Sequence, residues 1–154
     1  MISKTLNIVL ADDDKDDCIF FKEALEDLPV SAQLTIVHNG KQMMDLLKKD
    51  SHELPDVVFL DLNMPIMNGF ECLEEIKANE RLKELPIIIF STSFEPTIAD
   101  MLYKNGAHYY ICKPPDFQDL KKVIHRAIEF IVLEPVLKPT KEVFLLSSLP
   151  LAPR

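Results

Sequence analysis

Val57-Val58-Phe59-Leu60-Asp61-Leu62-Asn63-Met64-Pro65 opens on four apolar residues without polar alternation and stops on a carboxylate. A run that short reads as a strand, and an unbroken apolar strand is one covered on both faces, as in a parallel sheet flanked by helices. Ile87-Ile88-Ile89-Phe90 has the same character and is followed by Ser91. Both belong at the centre of a sheet. Outward from them, Asn7 to Ala11, Gln33 to Val37 and Tyr109 to Cys112 complete five strands. The stretches Asp14 to Leu28, Lys41 to Lys49, Phe70 to Ala78, Thr97 to Lys104 and Asp116 to Leu133 read as helices. The last is the most regular, with Leu120, Val123, Ile124, Ala127, Ile128 and Ile131 recurring on one helical face. Pro55 and Pro86 precede strands, Gly40 and Gly69 open helices, and Pro96 suits a first helical turn. Residues 1–133 are thus predicted to form an α/β domain with a doubly wound five-stranded parallel sheet, order 2-1-3-4-5, and helices on both faces.

The chain has 154 residues, 47% hydrophobic and 27% charged, enough for one domain with its own core. No apolar run approaches the roughly 18 residues of a spanning helix, which argues against a membrane protein. The first residues, Met1 to Asn7, lack the pattern of a secretory signal and favour the cytoplasm. A net charge of -8 repels nucleic acid. Cys18, Cys72 and Cys112 are scattered, suit neither a disulfide framework nor a zinc site, and are predicted to be small buried residues. Residues 134–154 hold Pro135, Pro139, Pro150 and Pro153 around Val143-Phe144-Leu145-Leu146. This segment shows no secure period and is too short for an output domain. Its apolar cluster predicts packing on this domain or on a second subunit.

Each informative polar group falls at the carboxyl end of a predicted strand, where open parallel sheets bind ligands. Asp12 and Asp13 follow the first strand, Asp61 the third, Ser91 the fourth and Lys113 the fifth. Strands one and three are neighbours at the topological switch point, so Asp12, Asp13 and Asp61 are expected to share a pocket. Their mutual repulsion, on the order of a few kcal/mol per close pair, calls for a cation. Oxygen donors without His or Cys point to Mg2+. With Lys113 as a positive charge and Ser91 as a hydroxyl donor, the set forms a receptor for a phosphoryl group with Asp61 as nucleophile. Asp14 and Asp16 read as helix N-cap acids. Asp12, Asp14, Asp16, Ile19 and Glu23 mimic the spacing of a calcium-binding EF-hand loop. That reading fails because Asp17 stands where the turn needs Gly and a strand precedes the loop.

The acidic pair Asp12-Asp13, the segment Asp61-Leu62-Asn63-Met64-Pro65 with Gly69, then Ser91 and Lys113-Pro114 together resemble the response-regulator receiver domain of two-component signalling, over roughly residues 5–133. The resemblance implies the flavodoxin-like fold and a signalling protein, not an enzyme, beyond its own phosphorylation and dephosphorylation. Asp61 would take a phosphoryl group from a phosphohistidine of a sensor histidine kinase or phosphotransfer protein. Asp12, Asp13, Asp61 and the main-chain carbonyl of Asn63 would hold Mg2+, with Asp12 acting mainly through a metal-bound water. Ser91, Thr92 and Lys113 would meet the phosphoryl group, Ser91 and Tyr110 would be the switch residues, and the Lys113-Pro114 bond would be cis. Thr92 stands where the family usually has Ala or Gly, and Pro115 replaces a common Phe. The Phe90-Ser91-Thr92-Ser93-Phe94-Glu95 and Tyr109 to Pro114 runs look like the stand-alone subgroup that includes partners of phytochrome-type kinases. Output would pass to a downstream protein through the fourth and fifth helices, a face that with the tail could also form a homodimer. The alternatives are a haloacid-dehalogenase-type phosphatase, disfavoured because Asn63 stands where that family needs a second Asp, and an unphosphorylated pseudo-receiver acting as a binding module.

Overall fold

A computed structural model describes residues 5–49, 53–133 and 141–147. Its strands are β1 (Leu6–Ala11), β2 (Ala32–Val37), β3 (Val57–Leu60), β4 (Ile87–Ser91), β5 (Tyr109–Cys112) and β6 (Leu145–Leu146). The helices are α1 (Lys15–Glu26), α2 (Gly40–Leu47), α3 (Gly69–Lys77), α4 (Pro96–Lys104) and α5 (Phe117–Leu133), and a 3-10 turn spans Lys141–Val143. The sheet runs β2-β1-β3-β4-β5-β6 with every pairing parallel, so the predicted doubly wound order stands and gains a sixth strand at one edge.

The unbroken apolar runs divide by strand parity, as a pleat requires. Val9, Ala11, Val58, Leu60, Ile87 and Ile89 join a core with Met43 and Met44 of α2, Leu73 and Ile76 of α3, and Leu102 of α4. Their neighbours Ile8, Leu10, Val57, Phe59, Ile88 and Phe90 face Phe21 of α1 and Leu120, Val123, Ile124 and Ile128 of α5. On that side Phe21, Phe59 and Phe90 meet edge to face, with ring centroids 4.9 to 6.2 Å apart.

Local chemistry fixes where the helices begin. Asp14 caps α1 by accepting from the Asp17 N–H at 3.0 Å, and Asn68 caps α3 in a reciprocal capping box with Glu71. Gly69 admits a close approach: a methyl there would collide with the Asp61 carbonyl, while the Gly69 N–H donates to Leu62 O at 2.9 Å. The start of α3 is thereby pinned to the loop that carries Asp61.

Four expectations change. The tail lacks a sequence period, yet Phe144 and Leu146 bury on opposite sides of the sheet, and Tyr110 N–H donates to Phe144 O at 2.9 Å. That packing, and not local propensity, makes a two-residue strand. Cys18 and Cys72 are buried, but Cys112, at the open end of β5, is exposed. No described peptide bond is cis, so the Lys113-Pro114 bond is trans. Trans is the ordinary state by about 0.5–1 kcal/mol, and Lys113 reaches its carboxylate partners without the rarer isomer. Ser91 is the last residue of β4 and pairs with Cys112, where the sequence put it just beyond the strand.

Candidate phosphoacceptor site

The register Ala11↔Leu60 sets the ends of β1 and β3 side by side, so the residues that follow them converge. Asp12, Asp13 and Asp61 each bring a carboxylate oxygen within 4.8 Å of the others. Asp12 and Asp61 are buried and Asp13 is exposed at the mouth. Asp12 accepts from the Asp14 N–H at 2.9 Å and Asp61 from its neighbour Leu62 N–H at 2.8 Å, which fix both carboxylates against the backbone.

Lys113 follows β5 and crosses over β4 to reach this cluster. The Lys113 N–H donates to Ser91 O at 2.7 Å, which aligns the chain, and Nζ stands 5.3 Å from the centre of the Phe90 ring. The ammonium donates to Asp12 Oδ2 at 2.7 Å and to Asp17 Oδ2 at 2.8 Å, and lies 3.6 Å from Asp61 Oδ2.

Burial pushes the Asp61 carboxyl from its ordinary 3.8 up to about 7. The charge of Lys113 opposes the rise and that of Asp12 adds to it. Burial disfavours the charged form of Lys113 as well, but its hydrogen bonds to Asp12 and Asp17 and the field of Asp61 outweigh this, and its pKa stands above the usual lysine value. A single ammonium therefore faces three carboxylates that a low-dielectric site holds close. The donor set is all oxygen and partly exposed through Asp13, which fits a hard divalent cation that keeps water and ligand oxygens in its remaining positions.

The remaining predicted residues lie around this centre. Ser91 is wholly buried, and its Oγ accepts weakly from the Ser93 N–H at 3.4 Å. Thr92 is exposed in the loop after β4, and Asn63 is exposed in the loop after Asp61. Tyr110 is buried, with burial raising its pKa, and its hydroxyl donates to the Ser93 carbonyl, which ties β5 to the loop beyond Ser91. Its ring lies between Phe94 and Phe144, at 5.4 and 6.3 Å between centroids.

Two contributors escaped the sequence reading. Asp17 appeared only as a mismatch to a calcium loop, and among the run of acids at the start of α1 nothing in the sequence sets it apart. His38, just past β2, puts Nδ1 3.1 Å from the Asp12 carbonyl, and nothing in its own neighbourhood of the sequence marks that contact.

A parallel sheet with paired acids after β1, an acid after β3, a hydroxyl ending β4 and a lysine after β5 defines the class of phosphoacceptor signalling domains. The response regulator receiver domain family matches residues 8–125, and the chain belongs to that family and to two-component signalling. It is 31% identical to response regulator Rcp1 of Synechocystis sp. over 136 residues, 86% of this chain and 92% of that one. Its structure is similar to that of the phosphorylated cyanobacterial phytochrome response regulator RcpA, with a TM-score of 0.75 and 30% identity, covering 89% of this chain and all of the other. The Mn(2+)-bound form of Rcp1 superposes with a TM-score of 0.73 at 30% identity, covering 88% and 99% of the two chains. Among the described residues no helix is long and apolar enough to cross a membrane.

Proposed function

We propose that the protein receives a phosphoryl group on Asp61 from the phosphohistidine of a sensor histidine kinase or a phosphotransfer protein, and signals by protein contact. The observation that carries this reading is the convergence of Asp12, Asp13 and Asp61 within 4.8 Å, with Lys113 Nζ 3.6 Å from the Asp61 oxygen. An Asp61 oxygen attacks phosphorus, the phosphorus–nitrogen bond of the donor breaks, and the imidazole nitrogen leaves with the bonding pair and takes up a proton. Lys113 stabilises the charge on the phosphoryl oxygens, and Ser91 lies on the adjacent strand end to donate its hydroxyl.

Asp12, Asp13, Asp61 and the Asn63 carbonyl would hold Mg2+, which when bound neutralises charge on the carboxylates and the phosphoryl oxygens. The existence of a Mn(2+)-bound form of the relative Rcp1 supports a divalent ion at this site. Similarity to the phytochrome response regulator RcpA supports a kinase of that kind as donor. Because β6 lies along β5 between α4 on one side of the sheet and α5 on the other, we assign the exposed surfaces of α4 and α5 that flank this strand to the downstream protein partner or a second copy of the chain. Residues 1–133 would form the receiver and residues 134–154 a Pro-rich tail too short for an output domain. Signalling of this kind, fed by ATP-dependent kinases, belongs in the cytoplasm.

Incubation with Mg2+ and a small phosphodonor such as acetyl phosphate should add the mass of one phosphoryl group, and Asp61→Asn should abolish the gain. A native chain that gains nothing from acetyl phosphate, phosphoramidate or a phosphorylated kinase would overturn the assignment.

A further inference from the structure

Asp17 sits in the first turn of α1, outside the trio of carboxylates that could hold a metal, yet it makes one of the two short ion pairs of the buried Lys113. The side chain of Lys113 is only 8% exposed, so its charge has little solvent to lean on and goes where carboxylates draw it. Those are Asp12 at 2.7 Å and Asp17 at 2.8 Å, while Asp61, the proposed acceptor, is left at 3.6 Å. The lysine thus donates hydrogen bonds to two neighbours of the acceptor and meets the acceptor itself only in a longer ion pair.

The two partners differ in kind. Asp12 is fully buried and also accepts from the Asp14 backbone, so it is fixed in place. The Asp17 side chain is 28% exposed, and apart from Lys113 it has no ion-pair partner among the described residues. Its negative charge works against the arrival of a group that carries between about one and a half and two further negative charges at neutral pH.

We propose that Asp17 is a positioning residue that competes with the phosphoryl group for Lys113 and thereby sets how readily Asp61 takes one up. This inference rests on the phosphoacceptor reading of Asp61. It identifies a fourth carboxylate, from α1, as a brake on the site: occupancy of the lysine by Asp17 must be offset before the phosphoryl group has its full charge.

The test uses the full chain with Mg2+ and beryllofluoride, a stable mimic of a carboxylate-bound phosphoryl group, followed by calorimetry. Asp17→Asn should bind beryllofluoride about three- to tenfold more tightly than the native chain. Asp17→Glu, which keeps the charge on a stem one methylene longer, should stay within about twofold of native. Asp16→Asn removes an equal charge from the same exposed turn without a lysine contact, and should likewise stay within about twofold. In a Lys113→Met background Asp17→Asn should have no further effect. In the resting protein, without any phosphoryl mimic, the ammonium protons of Lys113 should give a protected resonance in nitrogen-15 lysine spectra that Asp17→Asn weakens.

Unchanged or weaker beryllofluoride binding by Asp17→Asn, or tightening that persists in Lys113→Met, would overturn the competition. Tightening by Asp16→Asn equal to that of Asp17→Asn would reduce the effect to net charge and overturn it too. A native chain that binds no beryllofluoride would bring down the phosphoacceptor reading, whereas a native chain that binds it without response to Asp17→Asn brings down only the role of Asp17.

Discussion

The strand β5 belongs to two neighbourhoods with opposite energetics. Its carboxyl end delivers Lys113 to a site where burial lifts Asp61 to about 7 and three carboxylates crowd together. Its outer edge carries Tyr110 into an apolar seam with Phe144 of the tail, and Phe144 also meets Tyr103 of α4 with ring centroids 5.2 Å apart. The first arrangement stores repulsion that a ligand can relieve; the second stabilises the fold chiefly by ring packing, with backbone pairing of Tyr110 to Phe144 beneath it. The four residues of β5 join them, so the lysine of the site is carried on a strand whose outer edge is packed.

Breaking the seam should have the largest effect. Phe144→Ala removes a buried aromatic and should cost about 3 kcal/mol in denaturant unfolding. A loss below about 0.5 kcal/mol would make the edge strand a surface ornament and dissolve the comparison. On the other side, Mg2+ at a hundred times its dissociation constant should raise native stability by about 2.7 kcal/mol. The rise should shrink as pH falls below about 7, because a protonated Asp61 is a poor ligand. Thermal melts with and without the ion, repeated at pH 5.5 and 8, would read both.

Asp61→Asn should come next, stabilising the metal-free protein by about 1–3 kcal/mol at neutral pH. The sign follows from proton binding. The folded chain keeps the Asp61 proton up to about pH 7 whereas the unfolded chain loses it near the ordinary 3.8, so folded protein binds more protons between those values. Metal-free stability should therefore decline as pH rises from about 4 to 7, and Asp61→Asn should flatten that decline. A steeper slope in the variant would contradict the assignment of the raised carboxyl. The smallest effect is expected at Lys141→Ala. Its pair with Asp100 lies at the outer surface of the seam, and the unfolding midpoint should not move measurably.

The same contrast explains what the sequence disclosed. Asp12, Asp13, Asp61 and Lys113 were legible because each terminates an apolar run, and the topology of a parallel sheet then brings strand ends together without knowledge of side-chain contacts. The central strands were legible for the same reason. Leu145–Leu146 was not, since two residues have no period and their pairing depends on Phe144 and Leu146 finding cores that lie far away in sequence. Asp17 was hidden among acids at the start of α1, where capping explains most carboxylates and only the arrival of Lys113 singles one out. Cys112 misled because its apolar neighbours are buried while the strand itself ends there.

The sixth strand also bears on solubility. Tyr109-Tyr110-Ile111-Cys112 is uncharged, rich in residues that favour strands, and without proline, the composition of a template for edge-to-edge association. With Leu145–Leu146 laid along it, the rim of the sheet moves outward to a strand only two residues long, on which a foreign strand finds little to extend. A segment too short to be recognised as structure thus acts as a guard rail against self-association of the strand that carries Lys113.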